Sequence, residues 1–272
     1  MTGLARRPVI VVAGVVLALF ALVAIAPGLF TGASPTGTDL SAALQGPSGA
    51  HWFGTDQLGR DIFARVVYGS RPALLLALSA TVLAVLGGIV VGLTAGLGGR
   101  GADQITMRLA DVFLALPPLL LALLVVAVMG AGTGTVAFAV ATALIPAYGR
   151  VVRAEAKVVR RSGYVEAAVG LGLPRPLLIV RHILPNSLGP VLTLATVGFG
   201  TALLYSSVLS FLGLGTKPPD PEWGSMLSEG RDFLATAWWI AIFPGAALTL
   251  VVIAVNVVGG YARARFAGRT PQ

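Results

Sequence analysis

Long stretches without a charged side chain alternate with short charged segments along the chain. A helix needs about 20 apolar residues to cross a hydrocarbon core of roughly 30 Å, because it rises about 1.5 Å per residue. One uncharged stretch, 112–149, is 38 residues long and is interrupted by the glycine-rich segment 130–134, which predicts a hairpin of two spans. The pattern predicts six transmembrane helices, at about 9–26, 72–97, 112–130, 134–149, 189–212 and 235–258.

The composition agrees with a protein that lies mostly in lipid. Of the 272 residues, 56% are apolar and only 11% are charged, whereas about 25% are charged in soluble domains. The first stretch follows two arginines, as in a secretory signal peptide. Because it runs from Val9 to Ala26 without a convincing small-residue cleavage site, we interpret it as an uncleaved span. We therefore expect an all-α, polytopic membrane protein.

Basic residues are distributed unevenly between the two sides of the predicted membrane. The side that holds the termini has 14 Lys and Arg and four acidic residues, and the other side has five and seven. Cytoplasmic loops carry the excess of Lys and Arg, so we predict that 1–8, 150–188 and 261–272 are cytoplasmic and that 27–70 is external. This topology, with contacts to membrane lipid, explains the net charge of +8, and we expect no nucleic-acid partner.

The predicted spans offer little chemistry. None contains Asp, Glu, Lys or Arg near its middle, which argues against a proton- or sodium-coupled carrier. The chain has no cysteine, no P-loop string and no nucleophile paired with a base, so we expect no enzyme activity, no metal and no cofactor in this chain. Gly88, Gly92 and Gly96 repeat every four residues, a spacing that predicts close packing between helices.

The segment 150–188 is predicted to form a helix, a turn and a second helix beside the bilayer. Ser162 is suited to cap a helix whose first turn holds Glu166 near the positive end of the helix dipole, and Gly172 then allows a sharp exit. The second helix is predicted to continue to Ile183, after which Pro185 turns the chain toward the membrane.

This segment resembles a known family. The residues Glu166-Ala167-Ala168, Gly172 and Ile183-Leu184-Pro185-Asn186 are similar to the EAA loop in membrane subunits of type I, binding-protein-dependent ATP-binding cassette (ABC) importers. In that family the loop forms a coupling helix that docks in a groove on the ATPase. His182 departs from the general pattern and is similar to the dipeptide and oligopeptide branch. The resemblance implies that ATPase coupling involves Tyr164, Glu166, Ala167, Ala168, Gly172, Leu184 and Pro185.

Two further segments resemble the C-type subunits of that branch. Residues 54–61 are similar to its GTDxxGRD stretch, and 211–227 is similar to its external loop before the last span. We expect Asp56, Arg60 and Asp61 to form local ion pairs at the start of the second span, with contact to solute as the alternative. Trp223, like Trp238 and Trp239, is expected in an aromatic belt at the outer interface or in an external gate.

The resemblance implies a type I ABC importer transmembrane-domain fold over 71–260, in the inner membrane of a prokaryote. Its implied partners are a second homologous permease subunit, two ATPase domains or subunits that bind ATP and Mg, and an external solute-binding protein. The implied substrates are dipeptides or oligopeptides, and relatives in the branch also carry nickel chelates or haem. A secondary carrier or channel that works without ATPase partners stays open as the alternative from another class.

Overall fold

The computed structural model describes residues 6–267, and within them the chain forms ten α-helices and no named β-strand. Five helical runs are long and apolar enough to cross a membrane, and a sharply bent pair adds a sixth if it counts as one span. The expectation of an all-α protein with about six spans is confirmed. The helices are α1 (Arg6–Ile25), α2 (Ile62–Leu97), α3 (Gly99–Ala115), α4 (Pro118–Met129), α5 (Thr133–Arg160), α6 (Gly163–Gly170), α7 (Arg175–Leu178), α8 (Leu184–Phe211), α9 (Trp223–Gly230) and α10 (Trp239–Ala267).

Helices α2 and α5 form the centre of the bundle. A Cβ added at Gly88 would overlap the Cβ of Tyr148, and one added at Gly92 would overlap the Cβ of Val152. The two backbones therefore approach closely along one face of α2, as the four-residue glycine spacing predicted. Helices α8 and α10 complete the main core, and α1 packs on α10.

Helix α2 begins at Ile62, ten residues before residue 72, where the second span was predicted to start. The charges of Arg65 and Arg71 suggested the later start. The structure buries Arg65 to 1% exposure among polar partners, so its charge does not end the helix. The carboxylate of Asp61 accepts a hydrogen bond from the Ala64 amide at 2.8 Å and fixes the first turn.

The predicted third span, 112–130, is wrong as a single helix. Helix α3 ends at Ala115, α4 begins at Pro118, and the two are bent by 96°. Two consecutive prolines explain the break, because the residue before a proline is disfavoured in the helical region. Leu116, with φ −87° and ψ 141°, is accordingly extended.

The remaining spans differ from the prediction at their ends. Helix α1 begins at Arg6, before the predicted start at residue 9, and α5 continues past the predicted end at residue 149 to Arg160. Helix α10 starts at Trp239 rather than at residue 235 and runs on to Ala267, past the predicted end at residue 258. The predicted tail, 261–272, is thus helical up to Ala267, and its last residues lie outside the described part of the chain.

Candidate functional site

Helix α6 occupies the place of the first short helix predicted in segment 150–188. Its Val165 is 1% exposed and packs in a cluster with Ala156 and Val159 of α5 and with Leu178 of α7. Leu93 and Leu97, in the last turns of α2, pack partly against the same cluster. Helix α6 therefore rests on the ends of two long helices, and we name this region the α6 end of the bundle.

The sequence predicted the end of α6 correctly but not the hydrogen bond at its start. Ser162 holds the N-cap position, but its hydroxyl donates to the Val159 carbonyl at 2.6 Å and does not cap α6, so the predicted side-chain cap is wrong. Gly172 follows the helix with φ +79°, the left-handed conformation that favours glycine. The Gly172 amide donates to the Val169 carbonyl at 2.9 Å, and the sharp exit is confirmed.

Pro185 was predicted to turn the chain, and this prediction is wrong. Helix α7, a π-helical turn at Ile179–Ile183 and helix α8 form one continuous helical run from Arg175 to Phe211. Pro185 directly follows the π-helical turn, in which the Leu184 amide donates to the Ile179 carbonyl five residues back, so the regular four-residue ladder is already interrupted where the proline lacks an amide. The predicted second helix is thus the end of a membrane-spanning helix, and it connects α6 directly to that helix.

Three of the seven residues predicted to couple to the ATPase are exposed on α6, and Gly172 is exposed directly after it. Tyr164 is 48% exposed, and Glu166, Ala167 and Gly172 are also exposed. Ala168 is half-buried against the cluster under α6. Leu184 and Pro185 are half-buried and exposed, respectively, but they follow the π-helical turn and are not part of α6.

A large cavity opens between α6, α7 and the last turns of α2. Its volume is about 730 Å³. Most of its lining is aliphatic, and the polar side chains at its wall include Arg160, Glu166 and Arg175. Cavities of roughly 300–1,000 Å³ are typical of small-molecule sites.

Four charged side chains meet at the opposite end of α2, where the predicted external loop packs on α9. We name Asp56, Arg60, Arg65 and Glu229 the Arg60 cluster. Arg60 donates to the Asp56 carboxylate at 2.5 Å and to Glu229 at 2.8 Å. Arg65 donates to Glu229 at 3.1 Å and lies 3.6 Å from the Asp56 carboxylate. Three of the four side chains are at most 3% exposed. The two positive and two negative charges of this buried site balance one another.

The predicted ion pair between Asp56 and Arg60 is present, whereas Asp61 lies outside the Arg60 cluster. Asp61 caps α2 and contacts the His51 ring at 2.8 Å instead. Gly59, between them, has φ +71°, and a Cβ there would collide with the Asp39 carbonyl. The second glycine of the GTDxxGRD stretch is therefore required by backbone conformation and by close packing.

Trp223 is not in an aromatic belt, contrary to the prediction. It is fully buried, its indole N–H donates to the Val66 carbonyl at 3.0 Å, and its ring meets Phe20 edge-on at 5.6 Å. Trp239 is also mostly buried and donates to the Thr55 carbonyl at 3.0 Å, while Trp238 is 48% exposed. Both buried rings satisfy their N–H groups on α2 or on the segment before it, so they fasten α9 and α10 to that region.

Sequence reasoning missed several of the residues that build these regions. Arg65 and Glu229 are far apart in sequence, and only the fold brings them together. Arg153 and Lys157 of α5 both pair with Asp103 of α3, a contact that the sequence analysis did not predict. The spacing of Arg153 and Lys157, one helical turn apart, was the available signal, since it places both on one face of α5.

Comparison with known proteins identifies the family of this chain. The family described as "Binding-protein-dependent transport system inner membrane component" matches residues 88–270. The chain belongs to this family. It is 42% identical to the dipeptide transport system permease protein DppC of Alkalihalophilus pseudofirmus over 94% of this chain and 84% of that protein. It is 39% identical to the probable D,D-dipeptide transport system permease protein DdpC of Escherichia coli over 93% and 85%.

Solved structures show the same fold for this binding-protein-dependent transport component. A methionine ABC transporter, MetNI, in an inward-facing conformation matches with a TM-score of 0.58 at 17% identity, over 74% of this chain and 95% of that chain. An amino acid ABC transporter matches with a TM-score of 0.57 at 17% identity. The expected type I ABC importer transmembrane fold is confirmed, and the chain is a multi-pass membrane component of a binding-protein-dependent transport system.

Proposed function

We propose that this chain is a non-hydrolysing permease subunit of an ATP-driven importer of dipeptides or oligopeptides, with α6 as its coupling helix. The observation that carries this proposal is a short helix that exposes one face and rests on the ends of two long helices. ATP and Mg would be bound by two partner ATPase domains or subunits, and an external binding protein would deliver the solute. Both termini would lie in the cytoplasm, on the side of α6.

The packing of α6 suits it to transmit movement. Val165 is buried among side chains of α5 and α7, and the helical run from Arg175 continues without a loop into α8. A displacement of α6 is therefore passed to two transmembrane helices, because packed interfaces shift as units rather than deform continuously. The exposed face with Tyr164 and Ala167 is left for the ATPase.

The break between α3 and α4 supports pairing with a second, homologous permease subunit. Leu116 and Pro117 are non-helical and exposed in the isolated chain. Irregular backbone at membrane depth is tolerated only where protein or a water-filled cavity covers it, because lipid cannot satisfy its polar groups. Helix α4, with 12 residues, is also too short to cross the bilayer alone. This corner would therefore face the second subunit and the path between the two.

The peptide substrate is supported by the names of relatives. Besides the two dipeptide permeases, a glutathione transport system permease protein, GsiD, of Pectobacterium atrosepticum is 40% identical over 93% of this chain. All three relatives are named for peptides. Nickel chelates and haem are the competing cargoes within the branch, and uptake measurements separate them.

Ala167→Trp tests the coupling role of α6. Ala167 is exposed, so a large ring there should leave the fold intact and block docking into a groove. Purified with its native partners, the wild-type chain should retain an ATPase, and the variant should lose both the ATPase and ATP-dependent uptake. Ala235→Trp, the same change at an exposed alanine between α9 and α10, should retain the ATPase.

Two results would contradict the proposal at different levels. If no ATPase accompanies the wild-type chain, it acts as a carrier or channel without ATPase partners. If the ATPase binds normally to the Ala167→Trp variant, α6 is not the coupling helix. The substrate is tested separately by deleting the gene and measuring uptake of labelled dipeptides, nickel and haem, and a selective loss of nickel or haem uptake would refute the peptide assignment.

A further inference from the structure

The cavity at the α6 end lies beside the last turns of α2, shortly before the next charged residue, Arg100. Leu93 and Leu97 form one wall, and they belong to the last turns of a helix with no charge between Arg71 and Arg100. The opposite wall comes from Val169, Leu173 and other side chains of α6, α7 and the π-helical turn. The cavity is thus apolar on both sides and lies at the end of a predicted transmembrane helix.

Two basic side chains and one acidic side chain line the same cavity. Arg160, the last residue of α5, and Arg175, the first residue of α7, are both exposed side chains that line the cavity. Neither forms a salt bridge within the described part of the chain, whereas Arg153 and Lys157 of the same region are paired. Glu166 is the acidic group at the same wall. Two unpaired guanidinium groups above an apolar cavity attract an anion that carries a hydrocarbon chain.

We propose that the cavity binds an anionic glycerophospholipid, with an acyl chain between the aliphatic walls and the phosphate contacted by Arg160 and Arg175. Basic pockets between transmembrane helices on the cytoplasmic side favour such headgroups, and the excess of basic residues predicts that this end lies on that side. The site lies behind α6 and is distinct from the exposed face with Tyr164 and Ala167. A bound lipid would therefore brace the helix from the membrane side.

A lipid fits the cavity better than a soluble anion or a peptide. A soluble anion would leave the aliphatic walls exposed to water, which is unfavourable for apolar surface. A peptide carboxylate could pair with the same arginines, but its polar backbone would be buried against the aliphatic walls without hydrogen-bond partners, which is unfavourable. Glu166 further opposes simple anions and is best accommodated when the headgroup extends its polar, uncharged part toward it.

The test uses the full chain purified in detergent, with phosphatidylglycerol as the probe and native mass spectrometry as the readout. Arg160→Gln and Arg175→Gln should each reduce phosphatidylglycerol retention about tenfold, since a hydrogen bond to a charged group is lost. Arg161→Gln is the matched control, because Arg161 is adjacent, exposed and absent from the cavity wall. Leu97→Trp fills the apolar part and should also reduce retention.

Phosphatidylcholine and inorganic phosphate complete the experiment. The proposal expects weak retention of phosphatidylcholine, whose choline cation meets the two arginines, and no displacement of phosphatidylglycerol by millimolar phosphate or by a dipeptide. Equal retention of both lipids, or equal loss in the Arg161→Gln control, would overturn it. Displacement by phosphate or by the dipeptide would assign the cavity to a soluble anion or to a peptide. Reduced retention in both arginine variants and in Leu97→Trp, with normal retention in the control, would support it.

Discussion

We name the end of the bundle that contains α9 and the Arg60 cluster the α9 end. Replacing Glu229 by alanine should lower the stability of this end more than the loss of an exposed ion pair would. Glu229 is the carboxylate that joins Arg60 and Arg65, at 2.8 and 3.1 Å. Without it, two guanidinium groups that are 3% and 1% exposed share the single charge of Asp56. Water cannot reach them to compensate, so the loss is dominated by an uncompensated buried charge.

The magnitude follows from the burial of the cluster. Removing one partner of a buried ion pair costs about 3–5 kcal/mol. Because the Glu229 side chain is 18% exposed and Asp56 remains 2.5 Å from Arg60, the lower end applies, about 3 kcal/mol. Glu229→Gln keeps an acceptor for the two arginines but removes the charge, so its cost should be smaller than that of the alanine variant.

Thermal unfolding of the purified chain in one detergent measures the difference. A loss of about 3 kcal/mol should lower the midpoint by roughly 6 °C or more. Asp232→Ala is the control, since Asp232 pairs with Arg231 at 3.1 Å while both are more than half exposed. Exposed pairs contribute about 0–1 kcal/mol, so this midpoint should barely move. Equal shifts for the two variants would show that the Arg60 cluster does not hold the α9 end together.

Three further predictions concern packing, pH and backbone conformation. Gly92→Ala should cost about 1–3 kcal/mol through collision with Val152, while Gly134→Ala, which meets open space, should be neutral in the same unfolding assay. Burial raises the pKa of Glu222, so the folded state favours its protonated form and loses stability as the pH rises above the ordinary pKa of a glutamate, about 4.3. Glu222→Gln should flatten this dependence, and an unchanged pH profile in that variant would contradict the reasoning. Gly172→Ala should cost about 1 kcal/mol, because φ is +79°, and should increase protease cleavage between α6 and α7 relative to wild type.

The sequence predicted helices better than it predicted their ends. Hydropathy located the five long apolar helices because charge-free stretches of that length have no other good explanation. It placed the start of α2 late, since it treats each arginine as a cost, and Arg65 is neutralised by partners that hydropathy does not see. It drew one span over 112–130, whereas the structure bends by 96° between α3 and α4, at Pro117 and Pro118, two prolines that interrupt a helix in any sequence.

In the candidate sites, contacts between residues close in sequence were predicted, and contacts between distant residues were not. The exit of α6 at Gly172 and the pair of Asp56 with Arg60 depend on residues close in sequence, and both were predicted. The burial of Trp223 depends on Val66 and Phe20, more than 150 residues away, and was not predicted. An aromatic residue near a span end is equally compatible with a belt and with a core, and only the fold decides between them.

The two ends of α2 suggest how the subunit divides its work. At the α9 end, buried charges and indole hydrogen bonds join α2 and the segment before it to α9 and α10, so this end should move as one body. At the α6 end, α2 meets α6 through a few aliphatic contacts and an open cavity. Regions with few buried contacts open at lower free energy than densely packed ones. Movement driven from α6 should therefore be absorbed at that end first, and a ligand that fills the cavity would stiffen the connection between α6 and α2.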